Sequence, residues 1–75
     1  MLHVTSMERT PVESASITSV GYDDVSHELE IEFRNGRRYR YLQVPPAAFR
    51  LLLQAKSIGQ YVNRVIKPRF EGKPV

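Results

Sequence analysis

The chain predicts an α+β fold, a three-stranded antiparallel β-meander followed by two short C-terminal helices packed on one face of the sheet. Asn35-Gly36, two residues that tolerate positive φ, stands between strand-like runs at 28–33 and 38–44. Val44-Pro45-Pro46 then closes the sheet and opens an almost wholly apolar segment at 47–55. Ser57-Ile58-Gly59-Gln60 has the form of a capping box, and apolar residues recur behind it at helical spacing.

Seventy-five residues support one domain with one small core. The expected organisation is a flexible arm at 1–13, a single domain at 14–70 and a frayed tail at 71–75. Thr10-Pro11 makes the arm extended, and Met7 offers a second candidate start. With no cysteine there is neither a disulfide framework nor a thiolate metal site. The apolar runs are too short for a membrane span or a secretory signal, so a cytoplasmic protein without membrane contact is expected.

The first strand is expected at 16–22. Val20 and Tyr22 share one parity and Ile17 the other, which places a bulge at Gly21. Asp23-Asp24 reads as turn chemistry, side chains satisfying backbone donors, more readily than as a divalent-ion site. The second strand, 28–33, alternates strictly between a wet and a buried face. A two-residue loop after it would set Phe33 against Arg38 and Ile31 against Arg40. A three-residue loop, Arg34-Asn35-Gly36 with glycine in the left-handed position, instead sets Ile31 against Tyr39 and Leu29 against Tyr41. On the other face it opposes Glu32 with Arg38 and Glu30 with Arg40. Each such pair contributes about 0.2–1 kcal/mol, and a one-residue slip forfeits them all, so the three-residue loop is the prediction.

In the first helix, 47–55, only Arg50 and Gln54 are polar, four residues apart, so it is expected to be buried on most sides. It should lie across Leu29, Ile31, Phe33, Tyr39 and Tyr41. The second helix begins after Ser57 and runs to about Ile66, with Ile58, Tyr61, Val62 and Val65 inward and Gln60, Asn63, Arg64 and Lys67 outward. Pro68 should stop it, with Phe70 folding back as a last apolar anchor.

The set Val20-Gly21-Tyr22-Asp23, Asn35-Gly36, Tyr39-x-Tyr41, Val44-Pro45, Ser57-x-Gly59-x-Tyr61-x-Asn63 and Ile66-Lys67-Pro68 resembles the KTSC domain. That family is named for an extension at the carboxy end of some lysyl-tRNA synthetases and also occurs as free-standing small bacterial proteins. The resemblance spans about residues 14–70. It implies a small RNA-associated module, and since the sequence contains no synthetase catalytic domain it implies no aminoacylation.

Charge points the same way. Residues 1–33 hold Arg9 and seven acidic residues, whereas 34–75 hold ten basic residues and only Glu71, a split of −6 against +9. Beyond Arg38 and Arg40, which the hairpin pairs with glutamates, Arg34, Arg37, Arg50, Lys56, Arg64, Lys67, Arg69 and Lys73 form a candidate anion-facing surface.

Tyr39 and Tyr41 have two readings: stacking platforms for bases, or core residues with hydroxyls at the rim, which the pairing favours. The segment from Ser57 to Asn63 also has two. Its backbone donors, with Lys56, Ser57, Gly59, Asn63 and Arg64, could cradle a phosphate, or Ser57 simply caps while Gly59 makes room for the sheet. His3 and His27 lack partners at metal or nucleophile spacing. No general base accompanies Ser14, Ser16 or Ser57, so no enzyme, cofactor or metal is expected.

The expectation is therefore a non-enzymatic module that binds RNA, or less favourably single-stranded DNA, through phosphates. Arg34, Arg37, Arg64, Lys67 and Arg69 would supply charge, beside the start of the second helix. Its alternative is a protein-interaction or homodimerisation module using an exposed edge strand or an apolar patch near Phe70 and Leu42. A weaker one is an enzyme or metabolite binder at the turn from Ser57 to Asn63.

Overall fold

The computed structural model describes residues 9–75. Its elements are β1 (Arg9–Pro11), β2 (Ile17–Asp23), β3 (Glu28–Phe33), β4 (Arg38–Tyr41), α1 (Pro46–Gln54), α2 (Ile58–Tyr61), a π-helical turn (Val62–Ile66), α3 (Lys67–Arg69) and β5 (Gly72–Pro74). The strands form one antiparallel sheet in the order β1-β2-β3-β4-β5. The fold is α+β as expected, but with five strands and not three.

The central hairpin adopts the three-residue loop. Leu29 pairs with Tyr41, Glu30 with Arg40, Ile31 with Tyr39 and Glu32 with Arg38. The Phe33 N–H donates to the Arg37 carbonyl at 2.8 Å, and the Gly36 N–H to the Phe33 carbonyl at 2.9 Å. Gly36 has φ 89°, the left-handed conformation that closes this loop.

The two added strands come from segments expected to be loose. Arg9–Pro11, in the expected arm, pairs with β2, and the Val12 N–H continues the contact to Thr18. Residues 1–8, with His3 and the alternative start Met7, lie outside the described residues. Gly72–Pro74, in the expected tail, pairs with β4, where a Cβ on Gly72 would stand 2.4 Å from the Tyr41 ring. Hydrogen alone lets this strand approach. Thus β2 and β4, the outer strands of the expected meander, are both paired, and the edges of the sheet are β1 and β5. The new outer strands are three residues long and carry Pro11 and Pro74, both features that blunt edge pairing.

Further differences are local. The bulge lies at Thr18, between the Ile17–Phe33 and Ser19–Glu32 pairs, while Gly21 pairs regularly with Arg9 and Glu30. The third strand ends at Tyr41, not Val44, because Gln43 turns to φ 57° and Val44 donates its N–H to His27. In the β2–β3 connection the Asp23 carboxylate accepts N–H donors from Val25 and Ser26, the turn chemistry expected of it. These two bonds, led by Val25, hold its carboxyl below the usual range.

Helix α1 buries only Leu52 and leaves Leu51 and Leu53 55% and 42% exposed, so the expectation of burial on most sides fails. Being apolar nearly all round, its sequence hides which stripe meets the sheet. Phe49 stacks on Tyr22 at 4.7 Å, placing α1 over that end of the sheet and leaving the Phe33–Tyr39 end to other elements. Ser57 caps α2 by accepting the Gln60 N–H at 3.3 Å. Pro68 does not stop this helix. A proline ring in regular α-geometry collides with the carbonyl four residues back. Here the preceding turn widens, with the Lys67 N–H reaching the Val62 carbonyl, and the helix continues to Arg69. Ile17, Val20, Leu29, Ile31, Tyr41, Val44, Leu52, Val62 and Ile66 form the core.

Candidate functional site

The widened turn carries Lys67 to the sheet, where its ammonium lies 5.4 Å from the centre of the Phe33 ring, a cation–π contact. Arg37 approaches the same place from the hairpin loop. Between them runs a groove of about 400 Å3 lined by Phe33, Asn35, Arg37, Tyr39, Tyr41, Lys67, Phe70 and Gly72. None of these residues is acidic. Three aromatic rings lie close together there. Phe33 meets Tyr39 edge-on at 6.1 Å and 82°, and Tyr39 lies 6.4 Å from Tyr41 at 27°. The core reading holds for Tyr41, 4% exposed, whose hydroxyl burial pushes above its usual pKa. Tyr39, half-buried, stands at the groove wall.

The remaining expected site residues are distributed. Lys56, Ser57 and Arg64 line a separate hollow at the start of α2, together with Gln60 and Tyr61. Gly59 faces the sheet, since a Cβ there would stand 2.5 Å from the Ser16 hydroxyl. The space expected for a ligand oxygen beside Gly59 is thus filled by Ser16. Asn63 is exposed. Arg34 donates from Nε to the Ser14 carbonyl at 3.2 Å. Arg69 lies in a third hollow with Leu42, Gln43, Phe70 and the acidic Glu71. Sequence reading missed Phe33, Asn35, Phe70 and Gly72 as groove residues, taking Phe33 for core and Phe70 for an apolar anchor. The turn role of Asn35 masks it, and Gly72 becomes visible only once β5 is known to pair with Tyr41.

On the opposite sheet face three glutamates are engaged by two arginines. Glu30, 3% exposed, accepts hydrogen bonds from Arg9 and, at 2.9 Å, from Arg40. Arg40 also lies 3.5 Å from Glu28. Glu32 takes the Ser19 hydroxyl at 3.1 Å and lies 3.9 Å from Arg9, so the expected Glu32–Arg38 pair exists in register while Arg9 supplies the ion pair. Burial alone would raise the Glu30 carboxyl, but the hydrogen bonds from Arg40 and Arg9 outweigh it and hold its pKa below the usual range. With Arg9 and Arg40 so engaged, Arg37 and Lys67 are the cations that meet at a groove without an acidic lining residue.

Among the described residues no cluster of three or more His, Cys, Asp or Glu side chains has metal-binding geometry, and no helix is long and apolar enough to cross a membrane.

Comparison with known proteins places these features in a family. The KTSC domain pattern matches residues 13–70. An uncharacterised protein of Stutzerimonas stutzeri is 44% identical over 63 residues, covering 84% of this chain and 89% of that one. A lysine–tRNA ligase of Nostoc punctiforme is 37% identical over 59 residues, covering 79% of this chain but 10% of the ligase. The crystal structure of a KTSC domain protein from Yersinia pestis superposes with a TM-score of 0.89 at 40% identity, covering 93% of this chain and 99% of that one.

Proposed function

We propose that this chain, which belongs to the KTSC family, is a non-catalytic RNA-binding module that engages backbone phosphates with Arg37 and Lys67 at the groove. One observation carries this reading: two cations from distant parts of the chain meet at a groove with no acidic lining residue. Phosphates bind where positive charge is concentrated and unopposed. The lysine–tRNA ligase of Nostoc punctiforme, named for a tRNA substrate, includes a segment similar to this chain, which makes RNA the first nucleic acid to try. Lys56 and Arg64, at the start of α2, form a second cationic patch for a neighbouring phosphate.

Each phosphate neutralised releases condensed counterions, so affinity falls as salt rises. For single strands the log–log slope is about 0.7 per contact. Anisotropy of labelled RNA, titrated at several salt concentrations, should show binding that weakens with salt. Arg37→Ala and Lys67→Ala should each lower the slope by about 0.7. Arg50→Ala, on α1 and outside the groove lining, should leave it unchanged. Salt-insensitive binding, or a slope that neither groove substitution alters, contradicts the reading.

A further inference from the structure

Phosphate contact alone would be served by lysines and arginines on any open surface. The groove has more chemistry than that reading uses. Its aromatic side chains come from β3, β4 and the residue after α3, and aromatic faces serve poorly for phosphate. They are suited to a flat, polarisable ring. We infer that the groove is a subsite for one unpaired nucleotide, whose base rests against Phe33 and Tyr39 while its phosphate meets Arg37 and Lys67.

This deepens the RNA reading and rests on it for the identity of the natural ligand. Size is consistent with a single residue: about 400 Å3 lies near the lower end of the roughly 300–1,000 Å3 usual for small-molecule sites. The polar groups are also suited to a nucleotide. Asn35 spends its side-chain oxygen on the Arg37 N–H at 3.0 Å, which leaves its amide N–H groups to donate to a base edge or ribose. Tyr39 and Tyr41 have hydroxyls that hydrogen-bond to no other described residue. A base locked in a duplex presents its faces to its stacked neighbours and cannot lie against these rings, so the subsite selects unpaired positions such as loops and ends.

The wall formed by β5 makes the site specific to the folded chain. A Cβ on Gly72 would stand 2.4 Å from the Tyr41 ring, so a side chain there would displace the ring or the strand, and Phe70 and Gly72 both line the groove.

The test is a two-dimensional 15N–1H NMR titration of the whole chain with adenosine monophosphate, adenosine and inorganic phosphate in separate arms, alongside RNA anisotropy. The nucleotide should shift the amides of Arg37, Tyr39, Lys67 and Gly72, adenosine should shift the same set more weakly, and phosphate should not reproduce the Tyr39 and Gly72 shifts. Tyr39→Leu should weaken nucleotide binding about tenfold while leaving the salt slope for RNA intact. Its amide dispersion reports whether it folds, and the wild-type titration decides the matter if it does not. Salt-dependent RNA binding without nucleotide shifts at the groove overturns the subsite and leaves the RNA reading standing. Nucleotide shifts at the groove with no RNA binding at low salt support the subsite and overturn the RNA reading. Shifts that inorganic phosphate reproduces in full overturn the subsite as a site for a base.

Discussion

Two glycines illustrate how one missing side chain serves unrelated physical ends. Gly36 stands at φ 89°, and an added Cβ there would have no heavy atom within 4 Å, so its requirement is purely conformational. Left-handed backbone costs an L-residue about 1–2 kcal/mol. Gly36→Ala should therefore lower unfolding stability by about 1 kcal/mol in urea denaturation. Gly36→Asn should lose less, because a short polar side chain tolerates this region. Equal losses for both would mean that the turn tolerates something other than backbone conformation. Gly72 differs: its requirement is space, with the Tyr41 ring where a methyl would go. Gly72→Ala should unseat β5 with the rest of the sheet intact, seen as faster amide exchange at Leu42 and Val75, whose N–H groups bond Glu71 and Arg38. Unchanged protection at both would show that Tyr41 yields instead.

At the scale of elements, legibility followed how many residues share a constraint. The loop and register of the β3–β4 hairpin were readable because four cross-strand pairs all reject the wrong register together, although the end of its second strand was not. Strands β1 and β5 were not, since three residues are too few to show a period and each carries a proline. The site divided the same way. Arg37 and Lys67 were legible as cations, but their meeting was not, because the direction of Lys67 depends on the π-helical turn before Pro68. Pro68→Ala tests that dependence. Removing the ring and restoring an N–H should let regular α-geometry run through 62–66, turning Lys67 off Phe33. Overall stability should hold, since alanine favours helix, while the salt slope for RNA should fall as in Lys67→Ala. A retained bond from the Lys67 N–H to the Val62 carbonyl in the variant would mean that packing of Val62 and Ile66, not the proline, makes the turn.

For the whole molecule, the sheet separates two uses of charge. One face carries the row Arg9, Gly21, Glu30, Arg40 and Lys73, one residue from each strand. Gly21 contributes no side chain to this row, which lets Arg9 cross it to reach Glu30. Glu28, Glu30 and Glu32 are thereby engaged by Arg9 and Arg40, and among the cations left over Arg37 and Lys67 border the aromatic groove. Glu30 is the centre of this arrangement, and acid should expose its role. Its folded pKa lies below the ordinary 4.5, so the stability it contributes is fully present above that value and is lost as pH falls through the lower folded one. Glu30→Gln leaves Arg9 and Arg40 without their shared carboxylate and should cost about 3 kcal/mol near neutral pH, the usual range for removing one partner of a buried pair. Because the variant lacks the titrating group, its stability should also fall less steeply below pH 4.5, by up to about 1.4 kcal/mol per pH unit. Urea denaturation from pH 3 to pH 7 measures both effects. Parallel pH profiles for the two proteins would assign acid sensitivity elsewhere, with Asp23, also held below its usual range, as the next carboxylate to replace.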